Sequence, residues 1–210
     1  MAIGYEECQF TSALRSLVRF DLSSIPRDTQ IVSATLHLYL ESACSAPGYS
    51  YPVTIYPVTA GWSESGVTWF TQPTVGTAAT STNISVLPWG DRSFNITSLV
   101  QGWISGTMPN NGVELRSLEY SGNNTASLYF YTREYSDDNT RRPYLEIMYS
   151  SQAADEDSNG APAMPSLDEI GHGERLRDHL HAVGVPSSNG DKVTPRSEDS
   201  RSPEDSRQTH

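Results

Sequence analysis

From Val32 to Leu40 the chain reads VSATLHLYL, an unbroken alternation of apolar and polar side chains. A period of two puts Val32, Ala34, Leu36, Leu38 and Leu40 on one face and Ser33, Thr35, His37 and Tyr39 on the other, the pattern of a half-buried strand with one wet side. Such strands belong to antiparallel sheets, because parallel sheets are covered on both faces. LRSLVRFDL repeats the pattern, with Leu14, Val18, Phe20 and Leu22 inward and Arg15, Arg19 and Asp21 outward. YPVTIYPV, GVELRSL, ASLYFYTRE and PYLEIMYS continue it between polar turn clusters such as PNNG and DDNTRRP. Short strands at this spacing predict an all-β fold, a jelly-roll-type antiparallel β-sandwich. One short helix interrupts it. ITSLVQGWISG places Leu99, Val100, Trp103 and Ile104 on one side, Thr97 or Ser98 at the cap and Gly106 beyond the end, so that Trp103 plugs one end of the sandwich.

The strand pattern stops near Ser150. Residues 151–210 hold 12 acidic and 6 basic residues and no aromatic one, too little apolar surface to offset the entropy of ordering. The expected organisation is a β-sandwich over 1–150 and a disordered acidic tail over 151–210. Within the tail, SLDEIGHGERLRDHLHAV has a capping-box start at Ser166 and Glu169 and helical spacing of Leu176, Leu180 and Val183, but Gly171 and Gly173 limit it to a transient helix. His179 and His181 in that segment are read as solvated.

Charge and length exclude several function classes. The net charge is −11 and Lys192 is the only lysine, which argues against a nucleic-acid backbone as partner. No apolar run approaches the roughly 18 residues of a membrane span, and MAIGYEECQF has neither the basic start nor the apolar core of a signal peptide. Cys8 and Cys44, the only cysteines, are too few for a zinc site. They form a disulfide or remain as buried thiols. The disulfide is expected, since both flank strands expected to neighbour each other in the fold, and closing a loop of about 37 residues would contribute on the order of 4 kcal/mol. The sequons at Asn83, Asn95 and Asn123 fit a glycosylating, secretory route.

Catalytic patterns are hard to find. His37 is the sole histidine of residues 1–150 and lies on the wet face of a strand, with no G-x-S-x-G elbow in the chain. GWSESG lacks the lysine of a phosphate-binding loop, and Glu64 and Asp91 would have to meet across loops to act as a glycosidase pair. No cofactor or metal is expected. Binding has more material: Trp62, Trp69, Trp89, Tyr49, Tyr51, Tyr129, Tyr131 and Tyr135 supply flat faces for sugar rings, and Arg15, Arg19, Arg133, Arg141 and Arg142 supply forks for carboxylates. The same Trp62 and Trp69, lying next to strands, equally suit packing at the ends of the sandwich, and any one of these arginines equally suits a surface ion pair, as Arg19 with Asp21 or Arg133 with Glu134.

Five ordered stretches carry a family resemblance: RSLVRFDLSSIP, IVSATLHLYL, IYPVTAGWSESGVTWFTQP, FNITSLVQGWISGTMPNNGVEL and YFYTREYSDDNTRRPYLEIMY. Together, from Ile3 to Tyr149, they resemble the DNRLRE domain, a family that includes carbohydrate-binding module family 96 and is related to disaggregatase repeats. The resemblance implies a non-catalytic jelly-roll module of secreted or cell-surface proteins that binds polysaccharide, in some relatives an acidic, alginate-like one. The alternative it carries is a structural or adhesive surface module without sugar binding. GWSESGVTWFTQP is similar to the family's W-x-E-x-x-V-T-W-x-x-Q-P signature, met here by Trp62, Glu64, Val67, Thr68, Trp69, Gln72 and Pro73, and a motif shared by members with different ligands fixes a loop rather than reads one sugar. The family's opening strand has no counterpart before IGYEECQF, so an N-terminally truncated module is expected, monomeric or part of a larger chain. Candidate ligand residues are Arg15, Arg19, Trp62, Trp69, Trp89, Arg133, Tyr135 and Arg142, with Arg15, Arg19, Arg133, Tyr135 and Arg142 clustering on an outward sheet face or the loops above it.

Overall fold

The computed structural model describes residues 1–6, 12–44, 49–120 and 126–150 in full, and 170–176 and 180–186 by their backbone path. The strands are β1 (Ala2–Glu6), β2 (Ser12–Phe20), β3 (Gln30–Cys44), β4 (Ser50–Pro57), β5 (Thr80–Ser85), β6 (Gly90–Asn95), β7 (Val113–Arg116), β8 (Ser127–Phe130), β9 (Tyr144–Ser150), β10 (Ile170–Leu176) and β11 (Leu180–Pro186), with a helix, α1 (Thr97–Ile104), between β6 and β7. All pairings between them are antiparallel. Hydrogen bonds run continuously through β10-β9-β3-β8-β1-β2-β7-β4-β5, with β6 added to β3 and β11 to β2.

The long strand β3 makes this path curl. Its first half pairs with β9, its middle with β6 and, past a bulge at Leu40/Ser42, its end pairs with β8. One layer is therefore β10-β9-β3-β6, the other β11-β2-β7-β4-β5, and β8-β1 joins them. The core lies between: Ile3, Val18, Phe20, Leu36, Leu38, Leu40, Val53, Ile55, Phe94, Leu115, Leu128, Leu145 and Ile147 are buried in one cluster. The fold is the antiparallel sandwich that the alternation predicts.

Val32 departs from the expected face. It is 49% exposed and Ile31 is buried in its place, because a second bulge against β9 at Ile31/Ser33 adds a residue and reverses the facing of everything before it. The freed amide of Ile31 donates to Gln101 Oε1 of α1 at 2.8 Å. The helix buries Leu99, Val100 and Ile104 and packs Trp103 against the core. Its cap is not the Thr97 or Ser98 side chain. Ile96 holds the cap position, the first amide donates from Thr97 to Asn95 Oδ1 at 3.1 Å, and Thr97 Oγ1 instead accepts from the Ala34 amide.

β10 and β11 lie in the segment for which composition predicts no fixed structure. β10 pairs with β9 over Leu145 to Ser150 and β11 with β2 over Leu14 to Phe20. Apolar content decides whether a segment builds a core; it does not decide whether its backbone can satisfy the open N–H and C=O row of an edge strand. The transient helix read over 166–183 is thus replaced by strand at 170–176 and 180–183, β11 running on to Pro186, and the rest of 151–210, His179 included, lies outside the described residues.

Gly112 fixes the entry to β7 with φ +80°. A Cβ there would stand 2.2 Å from the Val18 carbonyl oxygen and 2.9 Å from Arg19 Cα. Gly112→Ala should therefore lower stability by about 2 kcal/mol or more, seen as a fall in the urea midpoint; an unchanged midpoint would mean that this turn does not press on β2.

Candidate functional site

On the outer face of the β2-β7-β4 layer the register sets Leu17 beside Glu114 and Glu114 beside Tyr56. Arg15 and Arg19 flank Leu17 on β2, outward as the alternation predicts, yet Leu17 is fully buried. The cover is the segment from Gly61 to Pro73. Its Val67 is buried with Leu17 and Val58, and Trp62, Trp69 and Val75 pack around them. The Arg15 guanidinium lies 4.6 Å from the Trp69 ring centroid and that of Arg19 lies 5.3 Å from Trp62, within cation–π range.

Hydrogen bonds lock this cover in place. Trp62 Nε1 donates to the Asn111 carbonyl at 2.8 Å, and Thr68 and Thr71 close a reciprocal box around the turn that carries Trp69. Gln72 Nε2 donates to the Trp69 carbonyl, and its Oε1 accepts from Arg15 Nη1 at 2.9 Å. Arg15 also forks onto both carboxylate oxygens of Glu119, at 2.7 and 2.8 Å, and that bond raises its pKa further above the ordinary arginine value. Glu64 accepts from Arg133 at 2.9 Å, while Arg133 Nε donates to Glu134 at 2.6 Å. Every polar residue of the segment's W-x-E-x-x-V-T-W-x-x-Q signature thus has a structural partner.

Beneath Arg15 lies Glu114, 1% exposed, bonded to Arg116 and 4.0 Å from Arg15. Burial pushes its carboxyl above the usual range, against the downward pull of Arg116.

The outer face of the β9-β3-β6 layer differs. His37 and Tyr39, on the wet side of β3, face Tyr144 of β9 and Asp91 of β6 by register. His37 stacks on Tyr144 at 4.3 Å with their planes 1° apart. Its Nδ1 lies 2.7 Å from Asp91 Oδ2 and its Nε2 lies 3.8 Å from Glu146. Tyr39 meets Tyr131 at 5.5 Å, and Tyr131 stacks on Tyr135 at 3.9 Å. The Arg141 guanidinium sits 5.1 Å from Tyr39 and 6.0 Å from Tyr131, and bonds Asp138 at 3.1 Å. Arg142 Nε donates to the Tyr135 carbonyl at 2.7 Å. Aromatic rings from two strands, β3 and β9, and from the loop after β8 thereby form a band across this face.

Three large side chains stand out separately: Trp89 (45% exposed) on the β5–β6 turn, Phe70 (80%) on the tryptophan segment and Tyr120 (61%) beyond Glu119. Arg92 clamps the turn that presents Trp89, donating to the carbonyls of Ser85, Pro88 and Asp91. At the opposite end of β2 an open depression of about 560 Å³ is lined by Arg19, Asp21, Arg27, Ile104 and Asn110, among others.

The model of carbohydrate-binding module family 96 matches residues 5–149, from β1 through β9. The chain belongs to that family. No curated protein matches it.

Within this module the candidate residues fall into three groups. Arg15, Arg19, Trp62 and Trp69 are brought together, as parts of the clamp on β2, and Arg133 ties into the same segment through Glu64. Tyr135 and Arg142 join the band on the other layer. Trp89 lies apart from both groups, on a turn that also exposes Leu87 and whose Val86 amide donates to the carbonyl of exposed Tyr49. Glu64 and Asp91 do not form a pair, since each faces its own base. Cys44 is disulfide-bonded, and Cys8 lies outside the described residues. His37, Tyr39 and Tyr144 escape selection from sequence; the available signal is that two large rings occupy the wet side of the most regular strand.

Two expectations follow for the module. Trp62→Ala and Trp69→Ala should each destabilise by about 2–4 kcal/mol, whereas Trp89→Ala should stay within about 0.5 kcal/mol, as read by urea denaturation. Glu114 holds its proton more tightly in the folded chain than in the unfolded one, so its contribution favours folding below the ordinary value of 4.5 and is lost as pH rises through the raised folded value. The stability of the parent minus that of Glu114→Gln should therefore decline as pH rises above 4.5; a rising difference would reverse the assignment.

Proposed function

We propose that the module binds polysaccharide, performs no chemistry on it, and belongs to a secreted or cell-surface protein. The observation that carries this reading is the family match, which spans nearly the whole described sandwich rather than an isolated motif. Arginine–carboxylate pairs support the non-catalytic part, because they engage acids that could otherwise act in catalysis: Arg15 with Glu119, Arg133 with Glu64 and Arg141 with Asp138. The disulfide at Cys44 supports an oxidising compartment, and Cys8, the other cysteine of the sequence, is its proposed partner.

A structural or adhesive module is the second reading. It is favoured by one observation, that Trp62 and Trp69, the most prominent aromatic pair in the sequence, face β2 and pack with Leu17 rather than forming an open platform.

Affinity electrophoresis of the purified module through gels containing neutral glucans, pectin or alginate separates the two. Retardation in at least one gel is expected. Equal migration in all of them would remove the binding function and leave the structural one.

A further inference from the structure

Many aromatic faces of the module are already occupied. Trp62 and Trp69 lie under arginines, and Tyr39, Tyr131, Tyr135 and Tyr144 contact other rings in the band of the opposite layer. The end of the sandwich where β3 and β5 finish and β4 and β6 begin is different. Trp89 and Leu87 stand on its β5–β6 turn and Tyr49 at the entry to β4, exposed by 45%, 44% and 46%. Among the described residues no ring or guanidinium stacks on Trp89 or Tyr49, and neither the Trp89 indole N–H nor the Tyr49 hydroxyl makes a hydrogen bond.

Strand pairing brings these residues to one rim. The register of β4 with β5 sets Ser50 opposite Ser85, and one step further the Val86 amide donates to the Tyr49 carbonyl at 3.4 Å. Val86 is buried, and Leu87 and Trp89 follow it into the turn. Tyr49 precedes the buried Tyr51 by two residues, so it extends the core-facing column of β4 past the end of the strand. The turn itself is tied down: Ser85 Oγ donates to the Leu87 carbonyl at 2.7 Å, and Arg92 Nη2 donates to the carbonyls of Ser85 and Pro88. Two-torsion aromatic side chains on such a support lose little freedom when a ligand stacks on them.

Size and chemistry select the occupant. A large aromatic side chain buries about 150–250 Å² when fully covered, so these three less than half-exposed side chains offer roughly 300 Å², far below the about 800 Å² each partner gives to a standard protein interface. A small flat ligand suits that area. Sugar rings bring apolar C–H faces to the indole and phenol rings, and hydroxyls to the Trp89 N–H and the Tyr49 hydroxyl. Arg92, the base of the turn, directs its guanidinium to backbone carbonyls, so stacking rather than ion pairing holds the ligand.

We propose that Trp89 and Tyr49, with Leu87 beside them on the β5–β6 rim, form the site at which the module holds polysaccharide, by stacking on sugar rings. This assignment rests on the carbohydrate-binding reading and adds the place and the mode of binding.

The test is affinity electrophoresis in neutral glucan, pectin and alginate gels, each at low and high salt, with the parent module and the variants Trp89→Ala, Tyr49→Ala, Phe70→Ala, Tyr120→Ala and Arg27→Ala. Thermal melts identify any variant that fails to fold, and Trp89→Phe and Tyr49→Leu serve as mild substitutions in that case. The expected result is retardation that high salt leaves unchanged. Trp89→Ala should weaken it about tenfold or more and Tyr49→Ala about threefold or more, the loss of an aromatic anchor, while Phe70→Ala, Tyr120→Ala and Arg27→Ala should remain within about twofold of the parent. Retardation that survives both Trp89→Ala and Tyr49→Ala overturns the placement while leaving carbohydrate binding intact. Retardation abolished by salt or by Arg27→Ala overturns the stacking mode. A parent that elutes as a dimer in gel filtration and is dissociated by Trp89→Ala, without retardation in any gel, assigns the rim to a second copy of the chain and overturns the site. Absence of retardation in every gel removes the carbohydrate-binding reading and this site with it.

Discussion

Two guanidinium–indole stacks, Arg15 on Trp69 and Arg19 on Trp62, decide how this module deploys its aromatic residues. They hold the Gly61–Pro73 segment flat over the outer face of β2, bury Leu17 beneath it, and leave the edge of Trp62 to bond the Asn111 carbonyl next to the strained turn at Gly112. An apolar residue on the wet side of a strand normally lies exposed or marks an interface; here the chain covers it with its own loop. The polar residues of the loop then have to be satisfied, and Glu119, Gln72 and Arg133 supply the partners.

That arrangement distinguishes the two layers of the sandwich. One layer carries its tryptophans and arginines as internal fasteners, and its buried Glu114 is tolerated because Arg15 and Arg116 flank it. On the other layer His37, Tyr39 and Tyr144 lie half-buried across the outer sheet face, and the loop after β8 folds back to add Tyr131 and Tyr135. Arg15 and Arg19 sit under one layer's loop, and Arg142 supports the loop of the other.

Local regularity explains what was legible in the sequence. The alternation of β3 and β2 revealed their inward faces, and the helix around Trp103 followed from its spacing and terminal glycine. Val32 was misplaced because a bulge is set by the partner strand, which sequence reading does not see. Arg15 and Arg19 could be placed outward but not under Trp69 and Trp62, because that contact spans about fifty residues of chain. The aromatic band was hidden for the same reason: β3 meets β6, β8 and β9, none of them its sequence neighbour. β10 and β11 were invisible to composition, since edge pairing uses backbone groups common to every residue.

The most direct test of this arrangement is an NMR titration of the module with oligosaccharides of neutral glucan, pectin and alginate, following backbone and side-chain resonances together. The account predicts that the Trp62 indole N–H, bonded to Asn111, stays unmoved whichever sugar binds. Shifts concentrated at Trp62, Trp69 and their arginines would contradict it.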